Sequence, residues 1–157
     1  MNSTQDKWVS TQDIGLEPFA ATQESTGTVA ITVTENAKET KLDTAWVYFF
    51  YRSGRPSLWA YFGSDNGRPV RAVYLGSRVP LDVGMHKIRP MKDPDWEVLG
   101  LLGNGTPGAV IGEDWGSGTL KIDAVSPLVY SGSFNFKYRS FADTVVEVVG
   151  EFSLENR

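Results

Sequence analysis

His86 is the only histidine of the chain, and there is no cysteine. One imidazole limits every Ser–His–acid site to that residue and bars a two-histidine metal site. The missing thiols remove disulfides, Cys-ligated zinc, iron–sulfur clusters and thiol nucleophiles. No G-x-S-x-G elbow occurs, and no P-loop. Carboxylates fall into two local groups, Asp93/Asp95/Glu97 and Glu113/Asp114. Glycoside hydrolysis needs two acids held roughly 5–10 Å apart. Calcium needs about six or more oxygens. Neither group has a spacing that meets those demands, and Asp93-Pro94-Asp95 reads better as a turn. Gly103–Gly108 fits G-x-G-x-x-G, but Pro107 lies inside it and Gly112, Gly116 and Gly118 bar the helix that would carry a pyrophosphate. A β-loop is the better account. No cofactor is expected. His86, in Met85-His86-Lys87-Ile88, is expected to be solvated or to make a structural hydrogen bond.

Charge is distributed more tellingly. Residues 52–92 carry eight basic side chains against two acidic ones; residues 1–51 carry three against seven, and residues 93–157 four against ten. Six of the eight are arginines, suited to bidentate anion contacts and aromatic stacking. The same stretch holds Trp59, Tyr61, Phe62 and Tyr74. Alternation from Leu58 puts Leu58, Ala60 and Phe62 on one face and Trp59 and Tyr61 on the other. If the first face is core, Arg52, Arg55, Trp59, Tyr61, Arg68 and Arg71 form a candidate binding surface. Aromatics would stack on the ligand, and guanidinium groups would hold an anionic or hydroxyl-rich group. The competing reading pairs these arginines with the acidic C-terminal strands and puts Trp59 in the core.

These residues must be carried by strands. Val29, Ile31 and Val33 alternate with Ala30, Thr32 and Thr34, the pattern of a half-buried strand. Asn36–Leu42 is polar and reads as a loop or short helical turn. Thr44–Arg52 is apolar on both faces, which suits a central strand. Ser53-Gly54-Arg55-Pro56 and Asp65-Asn66-Gly67 supply turns, making Thr44–Gly76 a three-stranded meander. Val83–Arg89 is a weaker strand, and Trp96–Leu102 is strongly apolar. Gly118–Ser126, Val129–Arg139 and Thr144–Leu154 alternate cleanly, and Phe134, Phe136, Val146, Val148 and Phe152 are expected at the core's centre. Gly132 and Gly150, in those inward rows, suggest a bulge or bend.

The expectation is an all-β fold, an antiparallel β-sandwich or flattened barrel of about eight to nine strands. Residues 1–26 read as a polar arm or irregular entry, with a helical turn at Glu17–Gln23, and residues 27–157 as a single β domain. The chain has 157 residues, a formal charge of −4, 41% hydrophobic and 22% charged side chains, an ordinary globular balance. No apolar run approaches the ~18 residues of a membrane span. No apolar signal region opens the chain, so a cytoplasmic location or release by a non-classical route is expected.

The functional expectation is a non-enzymatic β domain binding a carbohydrate, an anionic group or a protein partner. The acidic remainder weighs against nucleic acid. A second reading is a lipid-binding or pore-forming protein, because small acidic Trp-rich β proteins of this kind resemble the aegerolysin-type lipid binders in fold class and composition. That resemblance implies recognition of lipid headgroups. A third is a hydrolase using loop acids such as Glu97 or Glu113. The aromatic segment could equally serve a homo-oligomer interface.

Overall fold

The computed structural model describes residues 8–10, 25–62, 71–90, 92–104, 109–111, 116–139 and 144–156. Among them are eleven strands and no helix: β1 (Trp8–Ser10), β2 (Thr26–Glu35), β3 (Lys38–Arg52), β4 (Arg55–Phe62), β5 (Arg71–Ser77), β6 (Gly84–Ile88), β7 (Val98–Asn104), β8 (Ala109–Ile111), β9 (Ser117–Val125), β10 (Val129–Arg139) and β11 (Val145–Glu155). β1 and β8 form a small antiparallel sheet. The other nine hydrogen-bond in the order β10-β11-β2-β3-β4-β5-β7-β6-β9, and β9 returns to β10. The fold is all-β and ring-like, within the sandwich or flattened barrel read from the sequence.

The alternating stretches form the strands expected of them. In β10, Tyr130, Phe134, Phe136 and Tyr138 are buried while Asn135, Lys137 and Arg139 are exposed. Val146, Val148, Phe152 and Leu154 of β11 and Val29, Ile31 and Val33 of β2 meet them inside the ring. The pairing of β10 with β9 shifts at Ser131/Gly132, a bulge at the glycine. Gly150 acts differently. It lies opposite Phe134, and a methyl there would strike that ring and approach Ile31 Cγ2 to 2.9 Å. Glycine leaves room for the ring.

Lys38–Leu42, read above as part of a loop or helical turn, is instead the start of β3. The turn is Asn36-Ala37, both left-handed at φ 53° and 61°, the geometry of a tight two-residue hairpin. Ala37 carries no turn signature, so this hairpin is invisible to composition. Ser53 (φ 53°) and Gly54 (φ 78°) make the equivalent turn between β3 and β4, with Arg52 paired to Arg55. The β4–β5 connection, with Asp65-Asn66-Gly67, lies outside the described residues, as do Glu17–Gln23, residues 105–108 of the glycine motif and Glu113/Asp114.

β3 bends the ring. Its first half pairs with β2 as far as Asp43, its second with β4, and the register shifts between Thr44 and Trp46. Side-chain parity changes there. Leu42 packs on the interior before the shift; Val47, Phe49 and Tyr51 do so after it. Beyond the bend β2 and β3 part, and side chains bridge them. Thr44 Oγ1 accepts from Val29 N at 3.2 Å, and Ser25 Oγ accepts from Phe49 N at 2.9 Å.

On the far side the ring closes through a weak seam, the single parallel bridge Ile88↔Val98. The carbonyls along that edge of β7 take unlike donors: Arg89 N on Val98 O and Gly116 N on Gly100 O, each at 3.1 Å, and the Tyr138 hydroxyl on Leu102 O at 3.4 Å. Phe136, fully buried, lies under this seam against Gly100 and Gly116.

Candidate binding face

A barrel holds a ligand in its lumen only where side chains leave space. Here Phe49, Phe62, Tyr130, Phe134, Phe136 and Phe152 belong to one continuous packed interior.

The face of β3, β4, β5 and β7 opposite that interior is aromatic and forms a second buried cluster. Along β3, Trp46, Tyr48, Phe50 and Arg52 point outward; along β4, Arg55, Ser57, Trp59 and Tyr61 do, since Leu58, Ala60 and Phe62 are interior. β5 adds Ala72 and Tyr74, and β7 adds Leu99 and Leu101. The register lines them up as rows: Phe50–Ser57–Gly76–Leu99, Tyr48–Trp59–Tyr74–Leu101 and Trp46–Tyr61–Ala72–Gly103. Trp59 stacks on Tyr61 at 6.1 Å and packs against Tyr74 at 4.6 Å; Tyr48 meets Tyr61 edge-on at 6.1 Å. Such pairs add stability beyond their buried area.

Trp59 and Tyr61 lie on the face opposite Leu58, Ala60 and Phe62, and of the two readings the sequence left open for them, exposed or core, they are buried. They are 1% and 3% exposed, and Tyr74 is 1% exposed. Their neighbours are large, and Trp96 joins the same cluster with the Arg78 guanidinium 4.3 Å over its ring. Burial pushes the Tyr61 and Tyr74 phenols well above their ordinary pKa. A ligand cannot stack directly on Trp59. The accessible aromatics are Trp46, Tyr48 and Phe50, each half-buried. Sequence reading missed them, because Trp46, Tyr48 and Phe50 alternate with the equally apolar Val47, Phe49 and Tyr51, so neither face of Thr44–Arg52 stands out.

The arginines separate. Arg52 and Arg55 face each other across the last pair of the β3–β4 hairpin, on the aromatic face and in line with Phe50, and Arg55 Nε donates to Arg52 O at 3.4 Å. Arg71 alternates with Ala72 and belongs to the other side. It reaches Glu35 at 4.0 Å, at the opposite end of the ring. Arg68 lies outside the described residues. Arg89 pairs locally with Asp93 at 3.2 Å.

The acidic motif is a turn. Asp93 Oδ1 accepts from Asp95 N at 2.9 Å and Oδ2 from Arg89 Nη1 at 3.2 Å. The Asp95 amide, then Arg89, hold its carboxyl below the usual range. Among the described residues no group of three His, Asp or Glu could hold a metal ion. His86 Nε2 lies 2.7 Å from Asp82 O, a structural contact. A concavity of about 400 Å³ crosses the outer face of β11, β2 and β3, where Ala30 separates Glu151 from Asp43 beside Thr32, Lys41 and Val149. Among the described residues no helix is long and apolar enough to cross a membrane.

Comparison with protein-family models, curated proteins and solved structures finds no match.

Proposed function

We propose that the chain is a non-enzymatic binding domain whose ligand lies on the outer face of the β3–β4 hairpin. The observation that carries this reading is the file Trp46–Tyr48–Phe50, half-buried and running into the paired Arg52 and Arg55. Buried Trp59, Tyr61 and Tyr74 form the rigid floor that fixes the file rather than the contact surface. Fixed aromatics bind at low entropic cost, and an adjoining guanidinium pair orients an anionic group.

The test is a glycan, anion, lipid and protein screen with the wild type, repeated with Tyr48→Ala and Arg55→Ala. Both sites are part-exposed, so each change should cost at most about 1 kcal/mol of stability. Affinity for the ligand found should fall at least about tenfold in each, a usual loss for a contact residue near an interface centre. A ligand whose affinity neither change moves would refute this assignment.

A further inference from the structure

We propose that the chain pairs with a second copy of itself through the outer wall of β6, β9, β10, β11, β2 and the first half of β3, with Lys121 of each copy entering the concavity over Ala30 of the other. None of the residues proposed to hold a ligand takes part. The register arranges this wall in rows. One reads Met85–Lys121–Ser133–Glu151–Ala30–Asp43, the next Lys87–Thr119–Asn135–Val149–Thr32–Lys41, and the third Ser117–Lys137–Glu147–Thr34–Glu39. Within these rows charge is divided by strand. β6, β9 and β10 carry Lys87, Lys121 and Lys137 and no acid; β11, β2 and β3 carry Glu151, Asp43, Glu147 and Glu39 against Lys41. Lys121 touches Asp123 at 3.8 Å and Lys137 touches Glu147 at 3.5 Å, in pairs that leave all four side chains at least 42% exposed. Exposed pairs of that kind contribute little and exchange partners readily. Among the described residues Glu151 and Asp43 have no basic partner.

A wall with cations on one half and anions on the other is complementary to itself. A two-fold axis running along the strands between β10 and β11 sets β10 on β11 of the other copy, β9 on β2 and β6 on β3, with the rows kept. Lys121 then meets Ala30 of the other copy. That alanine is the small side chain between Glu151 and Asp43, and the concavity of about 400 Å³ lies there. An ammonium lowered into it has a carboxylate on either side. Lys137 meets Glu147, and Lys87 meets β3 where Lys41 is flanked by Glu39 and Asp43. Val149, 47% exposed, lies beside the axis, so the two copies bring these valines together. An axis across the strands would instead lay each strand on its own copy and set lysine on lysine. Six strands span about 25 Å and three rows about 20 Å, so each copy buries about 500 Å², the low end for a specific interface. The dimer is therefore weak and reversible.

Sedimentation equilibrium from about 10 μM to 1 mM measures the association. It should weaken several-fold as salt rises from about 0.05 to 0.5 M. Lys121→Glu should weaken it at least about tenfold, and so should Asp43→Lys/Glu151→Lys, because each places like charges together twice per dimer. An equimolar mixture of the two variants should recover the wild-type association, since both exchanged contacts then join opposite charges. Ala30→Tyr, which fills the concavity without altering charge, should weaken association by a similar factor. The chain has no cysteine, so Val149→Cys gives one thiol per copy. Facing sheets lie about 10 Å apart, so a short bis-maleimide should link the two copies, and adding Lys121→Glu should prevent it. Thermal melts of each variant check that the fold is intact.

A monomer throughout that concentration range would overturn the inference. So would a dimer left unchanged by Lys121→Glu and Ala30→Tyr, which would lie on another face. Failure of the mixed variants to associate would overturn the pairing of Lys121 with Glu151 and Asp43. A monomer that instead binds an oligolysine peptide, and loses it on Asp43→Lys/Glu151→Lys, would make the occupant a basic partner and overturn self-association.

Discussion

Phe136 and Gly116 offer the sharpest test of how the ring closes. Gly116 N donates to Gly100 O at 3.1 Å, tying the lead-in of β9 to β7 beside the single β6–β7 bridge. The tie is close because neither residue has a side chain. A methyl on Gly100 would lie 2.9 Å from Phe136 Cδ1, and one on Gly116 would collide with the same ring. Gly116→Ala should therefore overpack the seam and cost about 1–3 kcal/mol. Phe136→Ala should cost about 3–5 kcal/mol through lost transfer energy and a cavity. Both substitutions act on one volume, so they should not add. The double mutant should be at least about 1 kcal/mol more stable than the sum of the singles implies, because the new methyl occupies space the ring vacates. Urea melts of the four proteins give the coupling, provided the m-values agree. Additivity within about 0.5 kcal/mol would refute the claim that the seam is built around this ring.

Ala37→Gly should stabilise the protein by about 0.5–1 kcal/mol. The left-handed residue loses its Cβ penalty of about 1–2 kcal/mol, partly offset by glycine's freedom in the unfolded chain; a destabilised variant in a urea melt would contradict that turn geometry. Gly150→Ala should destabilise by about 1–3 kcal/mol through its clash with Phe134 and Ile31, and an unchanged melting temperature would place this glycine away from the ring. Burial raises the phenols of Tyr61, Tyr74 and Tyr130 and pushes Tyr138 up to about 12. Unfolded tyrosines ionise near pH 10 while these stay protonated. The unfolded state then binds fewer protons, so stability contributed by these groups is intact below about pH 10 and falls as pH rises toward 12. Native absorbance showing all six tyrosines ionised by about pH 10.5 would exclude their burial.

The strands that could be read are those whose two faces meet different media. Val129–Arg139 alternates a packed interior with water along its whole length, and its bounds are those expected. Gly132 announced its bulge because a small residue broke an otherwise large inward row. Where both faces are covered, the signal disappears. Leu58–Phe62 is buried at every position, so period alone assigns Trp59 to a face but cannot say what lies against that face. Ring closure was also illegible. It depends on one bridge and on three unlike donors that satisfy β7's edge, contacts between segments with no common pattern. The same holds for Arg71 and Glu35, 36 positions apart and joined at the ring's end.

β3 shows most directly how a local irregularity sets the surface. Before the shift at Thr44/Trp46 its odd-numbered side chains, Glu39, Lys41 and Asp43, face outward over β2; after it the even-numbered Trp46, Tyr48, Phe50 and Arg52 do. Without the extra residue, Val47, Phe49 and Tyr51 would face outward, and the tryptophan and both hydroxyl-free and hydroxyl-bearing rings of the file would point into the core. A one-residue slip moves a whole row to the other face. The bulge thus carries the chain from its pairing with β2 to its pairing with β4 and sets the aromatic file beside β4. Trp46 at one end of that file and Arg52 at the other owe their common face to the same irregularity. Deleting Ala45 should therefore destroy the face and the interior together, whereas changing Tyr48 or Arg55 should alter the face alone. That contrast separates residues that build the surface from those that use it.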